Sequence, residues 1–308
     1  MMDNEIDREL LEKIADLLGK PVGAFNIRKD SGCDGRQSTE HIEITSKTDG
    51  KSGIDIRVKD GTVGETCHIP VIITKPGIEE MVYNDFYIGE NCNVDIVAGC
   101  GIHNCGDQTS RHDGLHTFYV GKNSHVHYTE KHYGEGDGKG GRIMNPQTVV
   151  YLEEGASIQM DTTQIRGIDS TKRDTKIVCG KNAEAVVTER LLTHGEQTAE
   201  SDMEIVLDGE NSKGRVISRS VAQDASSQVF YPRMVGNAQC FGHVQCDSII
   251  MGEAKIKSIP AITANCTEAQ LVHEAAIGKI AGDQLLKLET LGLTPEEAEE
   301  TILKGFLA

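Results

Sequence analysis

The chain has 308 residues, nine of them cysteine, with 48 Asp plus Glu against 31 Lys plus Arg and a formal charge of −17. That length buries a substantial core without disulfides, and the acidic balance argues against nucleic acid or anionic membrane as a partner, since both demand a basic face. No apolar run approaches the roughly 20 residues of a membrane span. Met1-Met2-Asp3-Asn4-Glu5 has neither the basic nor the apolar region of a secretion signal, so a cytoplasmic location is expected. An odd cysteine count without a CxxC pair argues against a disulfide framework and against a structural zinc ribbon.

Residues 4–19 read as a short helix, with Ile6, Leu10, Leu11, Ile14, Leu17 and Leu18 at helical spacing before Gly19. The Gly-, Asp- and Ser-rich stretch 20–40 reads as a loop, which gives a first region over 1–40. From about residue 41 the period changes to two: Ile54, Ile56 and Val58 alternate with Asp55, Arg57 and Lys59, and Met203, Ile205 and Leu207 with Glu204 and Val206. A turn signal recurs through this stretch as Gly89-Glu90-Asn91-Cys92, Gly121-Lys122-Asn123-Ser124, Glu154-Gly155-Ala156-Ser157, Gly180-Lys181-Asn182-Ala183, Gly209-Glu210-Asn211-Ser212 and Gly252-Glu253-Ala254. Its spacing is about thirty residues, with a longer last interval, and Gly and Asn supply the positive-φ corners of tight turns. A mainly β solenoid, a parallel β-helix over 41–265, fits better than a β-sandwich, which prefers hairpins and more aromatic packing.

Residues 266–308 read as helical. A first helix spans 268–291 and stops at Gly292. Thr294-Pro295-Glu296-Glu297 then opens a second helix with a capping box, which places Ala298, Ile302 and Phe306 on one face, with Leu303 and Leu307 widening it. Such an apolar breadth suits docking, onto the chain's own body or onto a partner.

Two constellations carry chemistry. Cys100, His103, Cys105, His112, His116, His125, His127 and His132 form the densest set of metal-competent side chains. His125-Val126-His127 on a strand places two imidazoles about 7 Å apart on one face. Zinc is chemically open to this set, although no zinc spacing is present. The plainer alternative puts these histidines on the polar exterior, opposite Val126 and Tyr128. The second constellation is Cys246, at the end of a strand, with His273 and Glu274 at the start of the first C-terminal helix. Thiolate, imidazole and carboxylate are ligand types for iron or an iron–sulfur cluster, although a His-Glu pair at a helix start also serves the macrodipole.

These segments resemble the SufB/SufD family, the β-helical core subunits of the SUF iron–sulfur cluster assembly machinery. The likeness is carried by Val97-Ala98-Gly99-Cys100, Leu115-His116, Tyr128, Gly140-Gly141 and Asn145. It continues through Gln245-Cys246-Asp247-Ser248, Ala269-Gln270-Leu271, His273-Glu274-Ala275, Ile277-Gly278-Lys279-Ile280, Asp283-Gln284 and Gly305-Phe306. The resemblance implies a right-handed parallel β-helix with a helical tail gripped by a SufC-type ABC ATPase. It also implies a homodimer or a SufB/SufD-like heterodimer, a sulfur donor protein, and a transient iron–sulfur cluster at Cys246, His273 and Glu274. Cys100 aligns with a sulfur-receiving cysteine, and Cys105 is the neighbouring alternative. The chain has no GxxxxGK[ST] loop, so ATP hydrolysis is expected from another subunit and the chain itself is expected to be a scaffold, not an enzyme. FAD, associated with some assemblies of the family, has no recognisable motif here. Two departures stand out: SufB and SufD are usually much longer, and SufB members carry Glu where this chain has Val272. A SufD-like structural partner without its own cluster, a zinc-binding β-helix protein using the 100–132 set, and an unrelated β-helix lyase or acyltransferase are the competing readings.

Overall fold

A computed structural model describes residues 5–308. The expected helix start at residue 4 and the first residues of the chain lie outside this range. Helix α1 (Glu5–Ala15) is followed by twenty strands and two further helices. Strands β5 (Val63–Ile73), β7 (Asn93–His103), β9 (His125–Glu135), β11 (Ser157–Arg166), β13 (Glu184–Thr193), β15 (Ser212–Ala222), β17 (Cys240–Ile250) and β20 (Gln270–Gly278) stack in parallel in that order on one wall. Strands β4 (Gly53–Val58), β6 (Glu79–Ile88), β8 (Ser110–Val120), β10 (Arg142–Leu152), β12 (Ser170–Cys179), β14 (Thr198–Leu207), β16 (Ser227–Gly236) and β18 (Lys255–Ser258) form the facing wall, with β19 (Ala261–Ala264) also on β16. The chain is thus a β-solenoid of about eight turns, as its period-two pattern and recurring corners predict.

The corners explain the repeat. Asn91, Asn123, Asn182 and Asn211 take φ of 56, 55, 56 and 59°, and Gly155 takes 71° in the equivalent turn. Each donates its backbone N–H to the corner of the next coil, for example Asn91 to Lys122 O at 2.9 Å and Asn123 to Glu154 O at 3.1 Å. Gly252 belongs to the opposite edge, where it follows Gly195 and Asp224. That change of edge is why the last sequence interval is longer.

Two elements differ from the sequence reading. Residues 20–40 contain an antiparallel hairpin, β1 (Ala24–Lys29) and β2 (Gly32–Gln37), in which β1 pairs with β5 and β2 is an edge. Phe25 and Ile27 pack with Leu10, Leu11 and Ile14 of α1, whereas β2 is polar and largely exposed and so lacks an alternating signature. A second antiparallel strand, β3 (Ile42–Ser46), ends the facing wall at the same end. The other difference is at 268–291, where a strand replaces the first half of the expected helix: β20 pairs in parallel with β17, and α2 covers only Gly282–Thr290. Leu271 and His273 there continue the inward column of β17, so the stacking surface overrides the helical propensity of an Ala-rich segment. The expected stop at Gly292 holds, with φ of 101° and its N–H donating to Glu289 O at 2.9 Å.

Helix α3 (Pro295–Leu307) has the capping box expected at Thr294 and Glu297. Its buried face is Ala298, Leu303 and Leu307, and the last two pack with Val221 on the solenoid flank. Arg219 fastens its end through Phe306 O and Ala308 O at 3.2 and 2.9 Å. Helix α2 buries no residue, and Leu286 and Leu291 are 59% and 71% exposed. No helix among the described residues is long and apolar enough to cross a membrane.

Two corner glycines separate backbone strain from coil-to-coil clash. A Cβ at Gly195 (φ 60°) meets nothing within 4 Å, so Gly195→Ala is expected to cost only the left-handed penalty, about 1–2 kcal/mol. A Cβ at Gly167 (φ 75°) falls 1.8 Å from Gly134 O, and Gly167→Ala should lower the denaturation midpoint by at least twice as much. Equal shifts would contradict the close approach of these coils.

Candidate functional site: a polar lane inside the solenoid

Parallel coils in register place equivalent residues in columns about 4.8 Å apart along the axis. The first half of each strand on the longer wall fills the interior with apolar side chains: Val94 and Ile96, Val126 and Tyr128, Ile158 and Met160, Ala185 and Val187, then Val216 and Val244. The second half does not. One inward column runs Glu130, Thr162, Glu189, Ser218, Cys246, and its neighbour runs Cys100, His132, Gln164, Leu191, Ser220, Ser248. The facing wall adds Arg173, Ser201, Phe230 and Ser258 in register. The interior is therefore divided lengthwise into an apolar half and a polar lane. Cys100 and Cys246 stand five coils apart along that lane, roughly 24 Å.

At the Cys100 end, the side chains of Cys100, His112, His116, Glu130 and His132 surround a water-sized cavity of about 20 Å³. Asn84 Nδ2 lies 3.2 Å from His116 Nε2, and His116 Nδ1 lies 2.8 Å from the Tyr128 hydroxyl, which donates to Glu130 Oε1 at 3.1 Å. This chain of donors fixes His116 as the neutral Nδ1–H tautomer. Desolvation, with His112, His132 and Arg173 nearby, takes its pKa down to about 4 in spite of Glu130. Burial alone would push the Glu130 carboxyl up, but Arg173 and His132 hold it well below the usual carboxylate range. Arg173 also reaches Glu189 (3.4 Å), which accepts from Ser201 Oγ at 3.0 and 3.1 Å. Burial outweighs that help and raises the Glu189 carboxyl. Glu80 is brought down to about 2 against its burial by His112 and Arg28. Burial, with Glu80 and Glu130 close by, pushes the Cys100 thiol well up. Two buried polar atoms on the lane walls, Thr162 Oγ1 and Gln164 Oε1, have no hydrogen-bond partner among the described residues.

At the other end, Cys246 on β17 closes its column of the lane, and His273 on β20, in register with Val244 of the apolar half, brings Nε2 to 3.7 Å from Sγ. Cys246 is 3% exposed, and burial raises its thiol to about 12, opposed only in part by the Ser258 hydroxyl. Burial, and His243, lower the His273 pKa. Glu274 follows His273 on a strand and so faces outward, 64% exposed and 3.4 Å from His243. Cys246 and His273 are thus brought together within one chain and Glu274 is not.

The side chains at 100–132 do not form one group. Cys100, His112, His116 and His132 are inside, whereas His125 and His127 face solvent opposite Val126 and Tyr128, with His127 bridging Asp95 and Asp161. His103 and Cys105 sit at a corner. Among the described residues no three of His, Cys, Asp and Glu gather in a metal-holding arrangement. The sequence reading missed Glu130, Arg173 and Glu189. Their signal is phase: Glu130 lies in step with Val126 and Tyr128, at positions whose alternation demands an inward side chain.

Residues 80–306 match the family described as the SUF system FeS cluster assembly, SufBD core domain. The chain belongs to the SufBD family. Similar relatives include an iron-sulfur cluster assembly SufBD family protein of Methanocaldococcus jannaschii, 29% identical over 97% of this chain and 96% of the relative. One from Archaeoglobus fulgidus is 25% identical over 88% of this chain and 72% of its own length. One from Methanothermobacter thermautotrophicus is 26% identical over 75% of this chain and 56% of its own. The role of the chain is therefore in iron–sulfur cluster assembly.

Two outcomes follow for the lane. Glu130→Ala leaves the Arg173 charge buried and unpaired on that side, and should cost about 3–5 kcal/mol in chemical denaturation; a loss under ~1 kcal/mol would mean that solvent already reaches it. His116 is neutral in the fold down to about pH 4, against 6.5 for a free imidazole. The unfolded chain thus binds more protons in that window, and the His116 contribution is complete above pH 6.5 and lost as pH falls toward 4. His116→Asn should flatten the fall in stability between these values relative to wild type. The comparison isolates His116, because His68 and His273, also lowered, and Glu189, raised and of opposite sign, are present in both proteins.

Proposed function

We propose that this chain is a scaffold on which an iron–sulfur cluster is assembled as cargo, at a site two copies complete together. The observation that carries the reading is the Cys246–His273 pair, held 3.7 Å apart in the last two coils, next to the open end of the solenoid. Thiol and imidazole supply two ligands of types that iron accepts. Among the described residues no third ligand joins them, so in this reading a second copy meeting the same end supplies the remainder, with Glu274, on the outer face of the last strand, as the candidate. The end is suited to such pairing: β20 is an unpaired edge, and Ile259, Ile262, Val272 and Ile277 are exposed around it.

Sulfur reaches the site from Cys100 along the polar lane. The orphaned polar atoms of Thr162 and Gln164 offer hydrogen bonds to a polar guest in this lane. Cys246 is buried, so the cluster has to reach it through a movement that opens the terminal coils. A SufC-type ABC ATPase supplies that movement, gripping α2, whose Leu286 and C-capping Leu291 are exposed, together with α3. Arg219, which ties the end of α3 to β15, transmits the pull to the strand beside β17.

Anaerobic reconstitution with iron and sulfide, with and without the ATPase, tests the reading. Wild type should develop cluster absorbance that Cys246→Ser abolishes and His273→Ala weakens. Equal cluster content in wild type and Cys246→Ser would rule out the proposed site.

A further inference from the structure

Strand β7 ends in a corner, residues 104–109, that carries a second thiol the lane does not use. Cys105 is exposed, and its Sγ lies 2.9 Å from His103 Nε2. The other ring nitrogen, Nδ1, lies 3.1 Å from Glu135 Oε1 on the next coil. A carboxylate only accepts, so Glu135 fixes the Nδ1–H tautomer and leaves Nε2 free to take the proton of the thiol. Glu135 is itself held from its other oxygen by Lys13 of α1 at 3.3 Å. The arrangement is nucleophile, base and orienting carboxylate in series.

The corner is rigid. Asn104, buried, donates Nδ2 to Gln108 O at 2.9 Å and to Gly140 O at 3.2 Å, and accepts from Gly106 N at 3.0 Å. The next corner closes directly on it, because a Cβ at Gly138 would lie 2.4 Å from Gly106 O. The thiol itself is exposed to solvent, and of the three residues Glu135 also lines an open cleft of about 630 Å³ with Arg142, Arg166 and His194. Of the other thiols that are not buried, Cys33 Sγ contacts an amide oxygen of Asn26 and Cys266 Sγ a carboxylate oxygen of Glu268; neither has an imidazole partner. Cys100, by contrast, is buried, and a donor in solution cannot reach it in this conformation.

We propose that Cys105, with His103 as its base and Glu135 as the positioning residue, is a surface thiol that takes sulfane sulfur from a persulfide, ahead of Cys100. The inference rests on the assembly reading for its substrate, since cluster formation requires a step that delivers sulfur. In that step His103 Nε2 removes the thiol proton, and the Cys105 sulfur attacks the outer sulfur of the persulfide R–S–SH. A new S–S bond forms at Cys105 as the donor S–S bond breaks. The donor leaves as R–S⁻ and takes the proton back from His103. The transferred sulfur keeps its oxidation level, so no external oxidant or reductant is needed.

The test treats the full-length protein with cysteine persulfide, blocks thiols and locates the added sulfur peptide by peptide with mass spectrometry. Cys105 should be labelled before Cys33, Cys266 or Cys100. His103→Asn should slow labelling of Cys105 by roughly tenfold or more while leaving the Cys33 rate unchanged. In Cys105→Ser, labelling of Cys100 should disappear or be delayed to the same degree. Labelling of Cys33 or Cys100 as fast as Cys105, or no effect of His103→Asn, overturns the inference. The readout does not depend on cluster formation. A protein labelled at Cys105 that never loads a cluster at Cys246 overturns the assembly reading alone, and one that loads at Cys246 but is labelled elsewhere overturns this inference alone.

Discussion

Register between neighbouring coils is the constraint on which the rest of this molecule depends. Side chains alternate faces with a period of two, so a slip of one residue between β9 and β11 would turn Glu130 and His132 outward and bring Thr129 and Lys131 into the core. The backbone ladder alone permits such a slip, because every peptide group is alike. What forbids it is the stack of left-handed corners at Asn91, Asn123, Gly155, Asn182 and Asn211, each hydrogen-bonded to the next. Once the corners lock, both interior columns are fixed through every coil, and Cys100 and Cys246 share one lane without either being near the other in sequence.

That lane is an energetic liability which the other half of the interior offsets. Each fully buried aliphatic or aromatic side chain in the two apolar columns that start at Val94 and Ile96 contributes about 1.5–3 kcal/mol. The charges of Glu130, Arg173 and Glu189 contribute far less, since desolvation consumes most of their mutual attraction, and well-packed apolar groups in such places are often as stable or more so. The burial-raised pKa of Glu189 is a direct sign of that cost. A solenoid of this cross-section would therefore hold together better with an apolar lane. The polar one is best understood through what it accommodates, and the unpartnered oxygens of Thr162 and Gln164 on its walls point the same way.

Much of the architecture was legible in the sequence because its signals are local. The period-two runs and the Gly-Asn corners report directly on strand and turn, and Thr294-Pro295-Glu296-Glu297 opens a helix by chemistry contained in four residues. The misreadings share one cause, which is that the deciding partner is distant. Leu271-Val272-His273-Glu274-Ala275 has helical propensity and becomes a strand because β17 offers an edge; β2 has no alternation because only one side of it meets the body. At the site, the pairing of Cys246 with His273 survives that change of element, whereas Glu274 depends on it. On a helix, residues 273 and 274 lie near one face, and on a strand they face opposite sides. The interior position of Glu130 and Arg173 was readable from phase, but charge at an inward position runs against expectation unless the opposing wall, with its counter-charge, is also known.

The two ends of the solenoid are treated differently. At the N-terminal end, hairpins β1–β2 and β3–β4 turn the edges back on themselves. At the other end the β20 edge faces solvent with apolar side chains around it, in the same coils that hold Cys246 and His273. An unpaired edge invites a second chain through its free backbone groups. A self-complementary contact there is two-fold by symmetry, so it brings two copies of every nearby residue toward one axis. In the proposed assembly, Glu274, pointing away from Cys246 within its own chain, would then belong to the groups that a neighbour can use. Helices α2 and α3 follow directly after β20, and α3 returns to the solenoid at Val221 and Arg219 of β15. The open edge, the buried thiol and the exposed helix lie within the last 70 or so residues of the chain because assembly, in this reading, requires a site that can be closed by one partner and opened by another.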